Sequence, residues 1–395
     1  MQALQAVFLV FLVVLIVYGT HRFLALRMLG LDVFGKIAIF LLAGCLLYTI
    51  RSFPKVFIKD NIFLLLCLFG SLIAGYIGGV VTYGLVLVIA FLIYSTSRSA
   101  IELSVVVLSL LGILFSFLSW ILFILMINYS GDLSFCDFYY NERLDQSNLD
   151  LKNIFGICHP ESREYFGLTL FRQRSFSSEP ARMIGYILFP IALGAIQSKY
   201  IWLRKFCVNY FPFAAIPSLS VNVLFVVVPY VIMRFLPFRR SMYFYVIFIA
   251  IPVASILFFT FFDHALSSEL IRSSDINKDL NIFHGSTTRR FEYFHESLSL
   301  IAEALPFGGI IDIAGNLPVT LILNLGLFGA AAYLMLVVRL KQIFLSNIGH
   351  SNGQLALMAC FFPILAINAS GHFLAPGTLL MIILIGRLID YQKRI

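Results

Sequence analysis

Two clumps of arginine stand out in a chain otherwise poor in charge. The segment Phe171-Arg-Gln-Arg-Ser-Phe-Ser-Ser-Glu-Pro-Ala-Arg182 gathers Arg172, Arg174 and Arg182 around Glu179. The second clump is the pair Arg289 and Arg290, followed closely by Glu292, Tyr293, His295 and Glu296. A guanidinium fork matches phosphate oxygens, and each charge-assisted bond contributes about 1.5–3 kcal/mol. Two such clumps on one side of a membrane fit an anionic substrate such as a lipid pyrophosphate. Glu179 or Glu296 could orient an attacking hydroxyl or take its proton. A plainer description also fits. Arginines beside a membrane anchor headgroups, Arg182 can pair with Glu179, Glu292 and Glu296 one turn apart form a solvated face, and a lone His295 on a helix is usually structural. No Cys/His metal spacing, GxSxG elbow, P-loop or dinucleotide fingerprint occurs in a suitable context, so neither a metal nor a cofactor is expected.

The rest of the chain decides where those side chains can sit. It has 395 residues, is 60% apolar and has a mean hydropathy of +0.94, which excludes a soluble globular protein. Sixteen of the twenty Asp and Glu fall in 129–180 and 263–317. Acids are costly in lipid, so those two stretches lie in water. The net charge of +8 comes from short basic clusters between apolar runs, a membrane pattern and not a nucleic-acid surface.

The sequence therefore predicts an all-α integral membrane protein, a single polytopic domain over 1–395. Its roughly twelve spans fall near 3–19, 30–50, 61–77, 80–95, 100–127, 181–197, 200–217, 218–235, 241–262, 318–338, 354–370 and 373–389. The N-terminus, without a basic region or cleavage site, reads as an uncleaved first span. Arg51, Lys55 and Lys59, Arg98, Lys199 with Arg204 and Lys205, Arg234 with Arg239 and Arg240, Arg339 with Lys341, and Lys393 with Arg394 then share one face with both termini, the cytoplasmic one. Both acidic loops take the other face. Arg22 and Arg27 fall on the wrong side, but an eleven-span count that merges 206–235 would split the basic clusters. Pro212, Pro217 and Pro229 imply broken or tilted helices there, tolerable only where other helices cover the freed backbone groups.

The first polar loop, 129–180, reads as irregular and holds Cys136 and Cys158, which an oxidising compartment would allow to bridge. Cys45, Cys67, Cys207 and Cys360 lie in apolar runs as small buried hydrophobes. The second loop, 263–317, contains an amphipathic helix near 286–305, with Phe291, Phe294, Leu298, Ile301 and Leu305 in one stripe and Pro306 at its end. Asp32, Lys36 and Glu102 sit at span ends, where snorkelling accounts for them. No paired intramembrane charges and no internal repeat are apparent.

At these residues the chain resembles the O-antigen polymerase (Wzy) family, within the O-antigen ligase/polymerase superfamily. The twelve-span plan with two large loops is similar over nearly the full chain. Arg174, ten residues and then Gly185 matches the family's Arg-ten-Gly pattern, and Arg174-Ser-Phe-Ser-Ser-Glu-Pro180 resembles its first-loop exit. Arg289-Arg-Phe-Glu-Tyr-Phe, Pro306-Phe-Gly-Gly, Asn316 and Gly326-Leu-Phe-Gly329 resemble the second-loop-to-span pattern. No second Arg-ten-Gly occurs in the later loop. A ligase would carry His where Gly315 stands, which favours a polymerase.

The resemblance implies a bacterial inner-membrane glycosyltransferase with a GT-C-like fold. It would join undecaprenyl-pyrophosphate-linked oligosaccharides at the periplasmic face, alongside membrane lipids and with a flippase and a chain-length regulator as pathway partners. Arg174 and one of Arg289 or Arg290 would hold the pyrophosphate, with Arg172 and Arg182 as further ligands. Gly185 and His295 belong to the same substrate region, and Tyr139, Tyr140 and Tyr293 offer faces to sugars. The rivals are an O-antigen ligase and a lipid-linked oligosaccharide flippase. A transporter is expected to show paired intramembrane charges or symmetry between halves.

Overall fold

The computed structural model describes residues 2–20, 44, 57–127, 162–165, 168–171, 184–197, 199–218, 221–236, 239–261, 294, 296–310, 316–346, 351–366 and 376–392. Long runs of Leu, Ile, Val and Phe satisfy their backbone only as helices in lipid, and helices dominate these segments. In chain order they are α1 (Gln2–Thr20), α2 (Phe57–Asp60), α3 (Ile62–Ile73), α4 (Ile77–Ser95), α5 (Arg98–Ile127), α6 (Phe189–Ile196), α7 (Ile201–Tyr210), α8 (Val221–Phe235), α9 (Arg240–Tyr245), α10 (Ile251–Phe261), α11 (Ile301–Ala304), α12 (Leu317–Leu325), α13 (Leu327–Phe344), α14 (Ser351–Ala366) and α15 (Pro376–Gln392).

Among the described residues, four segments are long and apolar enough to cross a membrane: Ile77–Ser95, Arg98–Ile121, Arg240–Leu257 and Leu327–Phe344. Exposure supports that character. Leu103, Leu110, Leu114, Phe117, Ile121 and Ile124 form a bare apolar stripe down α5. Water would penalise such a stripe, whereas lipid tails cover it. The helices apolar all round lie at the centre instead, as burial requires. Every residue of α6 is buried, packed between α5 and α14, and α15 is buried against α1 and α4.

Prolines break the helical ladder in a regular way. Each lacks an N–H, so the carbonyl four residues earlier loses its partner. In four places an aromatic donor from another helix replaces it. Tyr18 Oη donates to the Tyr186 carbonyl ahead of Pro190 (3.3 Å), and Tyr230 Oη to Val208 ahead of Pro212 (2.9 Å). Trp120 Nε1 donates to Phe213 ahead of Pro217 (3.0 Å), and Tyr333 Oη to Phe248 ahead of Pro252 (2.7 Å). Ser116 Oγ adds a bond to the Ala214 carbonyl (2.5 Å). The cover required around Pro212 and Pro217 thus comes from α5 and α8. Pro190 and Pro252 each follow a π-turn, 184–188 and 246–250.

Three expectations need correction and a fourth is borne out. The first loop is not wholly irregular: Ser162–Tyr165 (β1) and Leu168–Phe171 (β2) pair antiparallel, with Ser162 opposite Phe171, and β2 packs against α5. The seventh span is broken, as Pro212 and Pro217 imply. The ten residues of α7 rise only about 15 Å, and the path continues through 3-10 turns at Phe211–Phe213 and Ile216–Ser218. The tenth span is broken at Gly326, where α12 ends and α13 begins, because that glycine adopts φ of 59°. The amphipathic helix, described from residue 294 onward, is interrupted at Leu300, and its last stripe residue, Leu305, is exposed. Its stripe does not lie free: Phe294 and Ala304 pack on Val319 and Leu323 of α12.

Candidate functional site

Arg172, Arg174, Glu179 and Arg182 lie outside the described residues, as do Arg289, Arg290, Glu292, Tyr293 and His295, and also Tyr139, Tyr140, Cys136 and Cys158. Gly185 and Glu296 are described. Gly185 is buried in the π-turn at the head of the sixth span. Glu296 is exposed on the helical turn 296–299, and its carbonyl accepts from Ser299 Oγ at 2.8 Å. The two belong to separate packing groups: Ile184 and Tyr186 join the main core, Phe294 the small cluster on α12.

The exit of the second loop is held by two glycine-rich pieces that interlock. Gly308 and Gly309 have φ of 80° and 100°, open only to glycine without strain. This lets their N–H groups turn: Gly309 N donates to the Asn324 carbonyl (3.1 Å) and Ile310 N to Leu323 (3.1 Å). Those carbonyls end α12 and would otherwise be orphans. In return Leu327 N donates to the Pro306 carbonyl (3.0 Å). A Cβ on Gly308 would lie 2.5 Å from the Asn324 carbonyl oxygen, one on Gly326 would strike the Pro306 carbonyl, and one on Gly329 the Leu321 carbonyl. Gly70 of α3 meets the same corner, with Phe328 Cβ 2.8 Å from its Cβ position. Pro306-Phe-Gly-Gly and Gly326-Leu-Phe-Gly329, which carry the resemblance, therefore form one backbone joint.

Beyond that joint, α12 carries a polar stripe. Asn316, Thr320 and Asn324 recur every fourth residue in an otherwise apolar helix, and all three are buried. Asn316 caps the helix, its Oδ1 accepting from Val319 N at 3.2 Å. Among the described residues its Nδ2 has no partner, nor does Asn324 Oδ1.

The charges at the opposite ends of the spans were not singled out by sequence. Arg339 Nη2 of α13 lies 3.3 Å from Asp60 Oδ2 and 2.9 Å from Asp390 Oδ2. Tyr94 Oη donates to Asp60 (2.9 Å), and Arg387 lies over the rings of Tyr94 and Tyr391 (4.8 and 4.3 Å to the centroids). Arg387 Nη2 also donates to the Tyr94 carbonyl (3.1 Å). Two carboxylates and two guanidiniums balance, and Asp60, Arg339 and Arg387 are each over nine-tenths buried. Burial raises the Asp60 carboxyl above its ordinary value, against the pull of Arg339 and the Tyr94 hydroxyl. The pairing sits at the span ends, with Asp60, Arg339 and Asp390 just outside 61–77, 318–338 and 373–389, and not within them. The signal was present: Asp60 and Asp390 are two of only four acids outside the loops. A third, Glu102, does not merely snorkel but pairs with Arg98 at 2.8 Å. Asp60, Tyr94, Arg339 and Asp390 stand far apart in sequence and meet in the packed bundle.

Chemically, the balanced cluster ties α2, α4, α13 and α15 together and leaves no net charge for a ligand. The second-loop exit, by contrast, offers buried hydrogen-bonding groups on Asn316 and Asn324 that no described residue fills. No grouping of His, Cys, Asp and Glu suited to a metal occurs among the described residues. Comparison with known protein families, with curated proteins and with solved structures finds no match in any of the three.

Proposed function

We propose that the protein is an O-antigen polymerase of the bacterial inner membrane, with twelve spans, a GT-C-like helical plan and cytoplasmic termini. It joins oligosaccharide repeat units carried on undecaprenyl pyrophosphate at the periplasmic face. The observation that carries the reading is the Arg174-ten-Gly185 spacing, with Gly185 buried at the head of the sixth span. Arg174 itself lies outside the described residues, and the reading needs it near the lipid boundary, where a pyrophosphate head would lie.

A hydroxyl oxygen of one lipid-linked unit attacks the anomeric carbon of the growing chain. The carbon–oxygen bond to pyrophosphate breaks, undecaprenyl pyrophosphate leaves with the electron pair, and the hydroxyl proton passes to a carboxylate, Glu179 or Glu296. Arg174, with Arg289 or Arg290, stabilises the charge that grows on the leaving group. Arg172 and Arg182 add to the same field. Loop tyrosines such as Tyr293 stack on sugar rings.

The test is Arg174→Ala at normal protein level. Loss of long O-antigen with one-unit-capped lipopolysaccharide retained is the expected result, and a normal ladder removes Arg174 from the mechanism. Arg174→Lys keeps charge but loses the fork, so it is impaired too if two oxygens are held.

One observation favours a second reading. The Asp60–Arg339–Asp390 cluster is a buried charge pairing at the span ends, and paired charge is a feature that a lipid-linked oligosaccharide flippase would share. Gene deletion separates the readings: polymerase loss leaves one-unit lipopolysaccharide, flippase loss traps units on the cytoplasmic side, and ligase loss leaves bare core.

A further inference from the structure

Four buried side-chain polar atoms lack a partner among the described residues: Asn316 Nδ2, Asn324 Oδ1, Ser71 Oγ and Arg387 Nε. Two of these lie on one face of α12. A third, Ser71, follows Gly70, whose Cβ position touches Leu325 and Phe328 at the end of that helix. An orphaned buried amide costs about 1–3 kcal/mol, and helix α12 carries two. Asn316 is fully buried and Asn324 is 7% exposed, so bulk water does not make good the loss.

We propose that the Asn316–Thr320–Asn324 face of α12 is a binding site for a polyhydroxylated ligand, a short stretch of glycan. The chemistry of the two orphans selects that class. Asn316 Nδ2 needs an acceptor and Asn324 Oδ1 needs a donor. An anion answers only the first and a cation only the second. A sugar hydroxyl donates and accepts, so neighbouring hydroxyls answer both. Eight residues of helix separate the two amides by about 12 Å within an arc of about 80°, a span that suits a di- or trisaccharide and exceeds one ring.

The surroundings agree. Phe294 and Ala304, on the outgoing limb of the second polar loop, pack on Val319 and Leu323 next to this face. Entry of a glycan requires the packing of Phe294 and Ala304 beside this face to open. The site extends the polymerase reading, and it rests on that reading only for the statement that the glycan is a repeat unit.

The experiment uses the full-length protein in nanodiscs and saturation-transfer NMR. The probes are free di- and trisaccharides of hexose, N-acetylhexosamine and deoxyhexose units. Asn324→Leu removes the orphan acceptor at similar volume, and Asn316→Ser keeps the helix cap while removing Nδ2. Wild type is expected to bind at least one probe, each variant to bind it about tenfold more weakly, and Asn324→Leu to hold or raise the melting temperature. Stability and binding thus move apart, which a purely structural role does not produce. If no probe binds wild type, or both variants bind as wild type does, the orphans hold water only and the site is overturned. Arg174→Ala keeps the two claims separable, since it is expected to bind the probes normally whether or not it polymerises.

Discussion

Arg339 Nη2 lies 2.9 Å from Asp390 Oδ2, joining α13 to the last helix across 51 residues of sequence. The same guanidinium reaches Asp60, so one cation closes the bundle end against two acids. Gly386 makes room for it: a Cβ there would stand 2.9 Å from Arg339 Nη2. Removing the cation leaves the buried Asp60 and the part-buried Asp390 with Arg387 alone of the cluster's two guanidiniums. Arg339→Met is expected to cost about 3–5 kcal/mol, seen as a lower melting temperature of the purified protein. Adding Asp60→Asn and Asp390→Asn to Arg339→Met is expected to recover most of that loss. A triple variant no more stable than the single one would show that the charges do not act together.

The tyrosine caps make a second expectation. Tyr333→Phe takes the donor from the Phe248 carbonyl and is expected to destabilise by about 1–2 kcal/mol. Pro252→Ala restores a backbone N–H that can reach that carbonyl, so the same substitution costs less in a Pro252→Ala background. Thermal unfolding of the four proteins completes the cycle, and additive effects rule out the cap.

The glycine joint is tested by size alone. Gly326→Ala meets the Pro306 carbonyl and a φ of 59°, and is expected to cost about 1–3 kcal/mol or to prevent accumulation. Gly84 in α4 has nothing within 4 Å of its Cβ position, so Gly84→Ala is expected to be neutral or to gain up to about 1 kcal/mol. Fluorescence size-exclusion with heating reads both, and equal behaviour contradicts the joint.

Glu296 faces solvent on its helical turn. Glu296→Gln is therefore expected to leave folding unchanged, so that any loss of polymer length in this variant reports chemistry and not stability. A fall in melting temperature above a degree or two would show a structural role instead.

Much of the helical plan was legible because lipid imposes one rule on every residue. Apolar runs of the required length become helices, and acids collect elsewhere; composition along the chain carries that directly. Pro212 and Pro217 announced a broken path for the same local reason, a missing N–H. The first-loop hairpin at Ser162–Phe171 was not legible, since a loop rich in Asn, Asp, Ser and Tyr gives no clean alternation to read.

What only tertiary structure decided is who answers each local defect. Nothing near Pro252 names Tyr333, and nothing near Asp60 names Arg339, because these partners are brought together by helix packing. Gly326 reads in sequence as a motif letter, whereas its role is fixed by the approach of the Pro306 carbonyl. The buried, unanswered amides of Asn316 and Asn324 follow the same logic. Their identity is in the sequence, but whether water, protein or ligand meets them depends on enclosure, which is a property of the packed bundle.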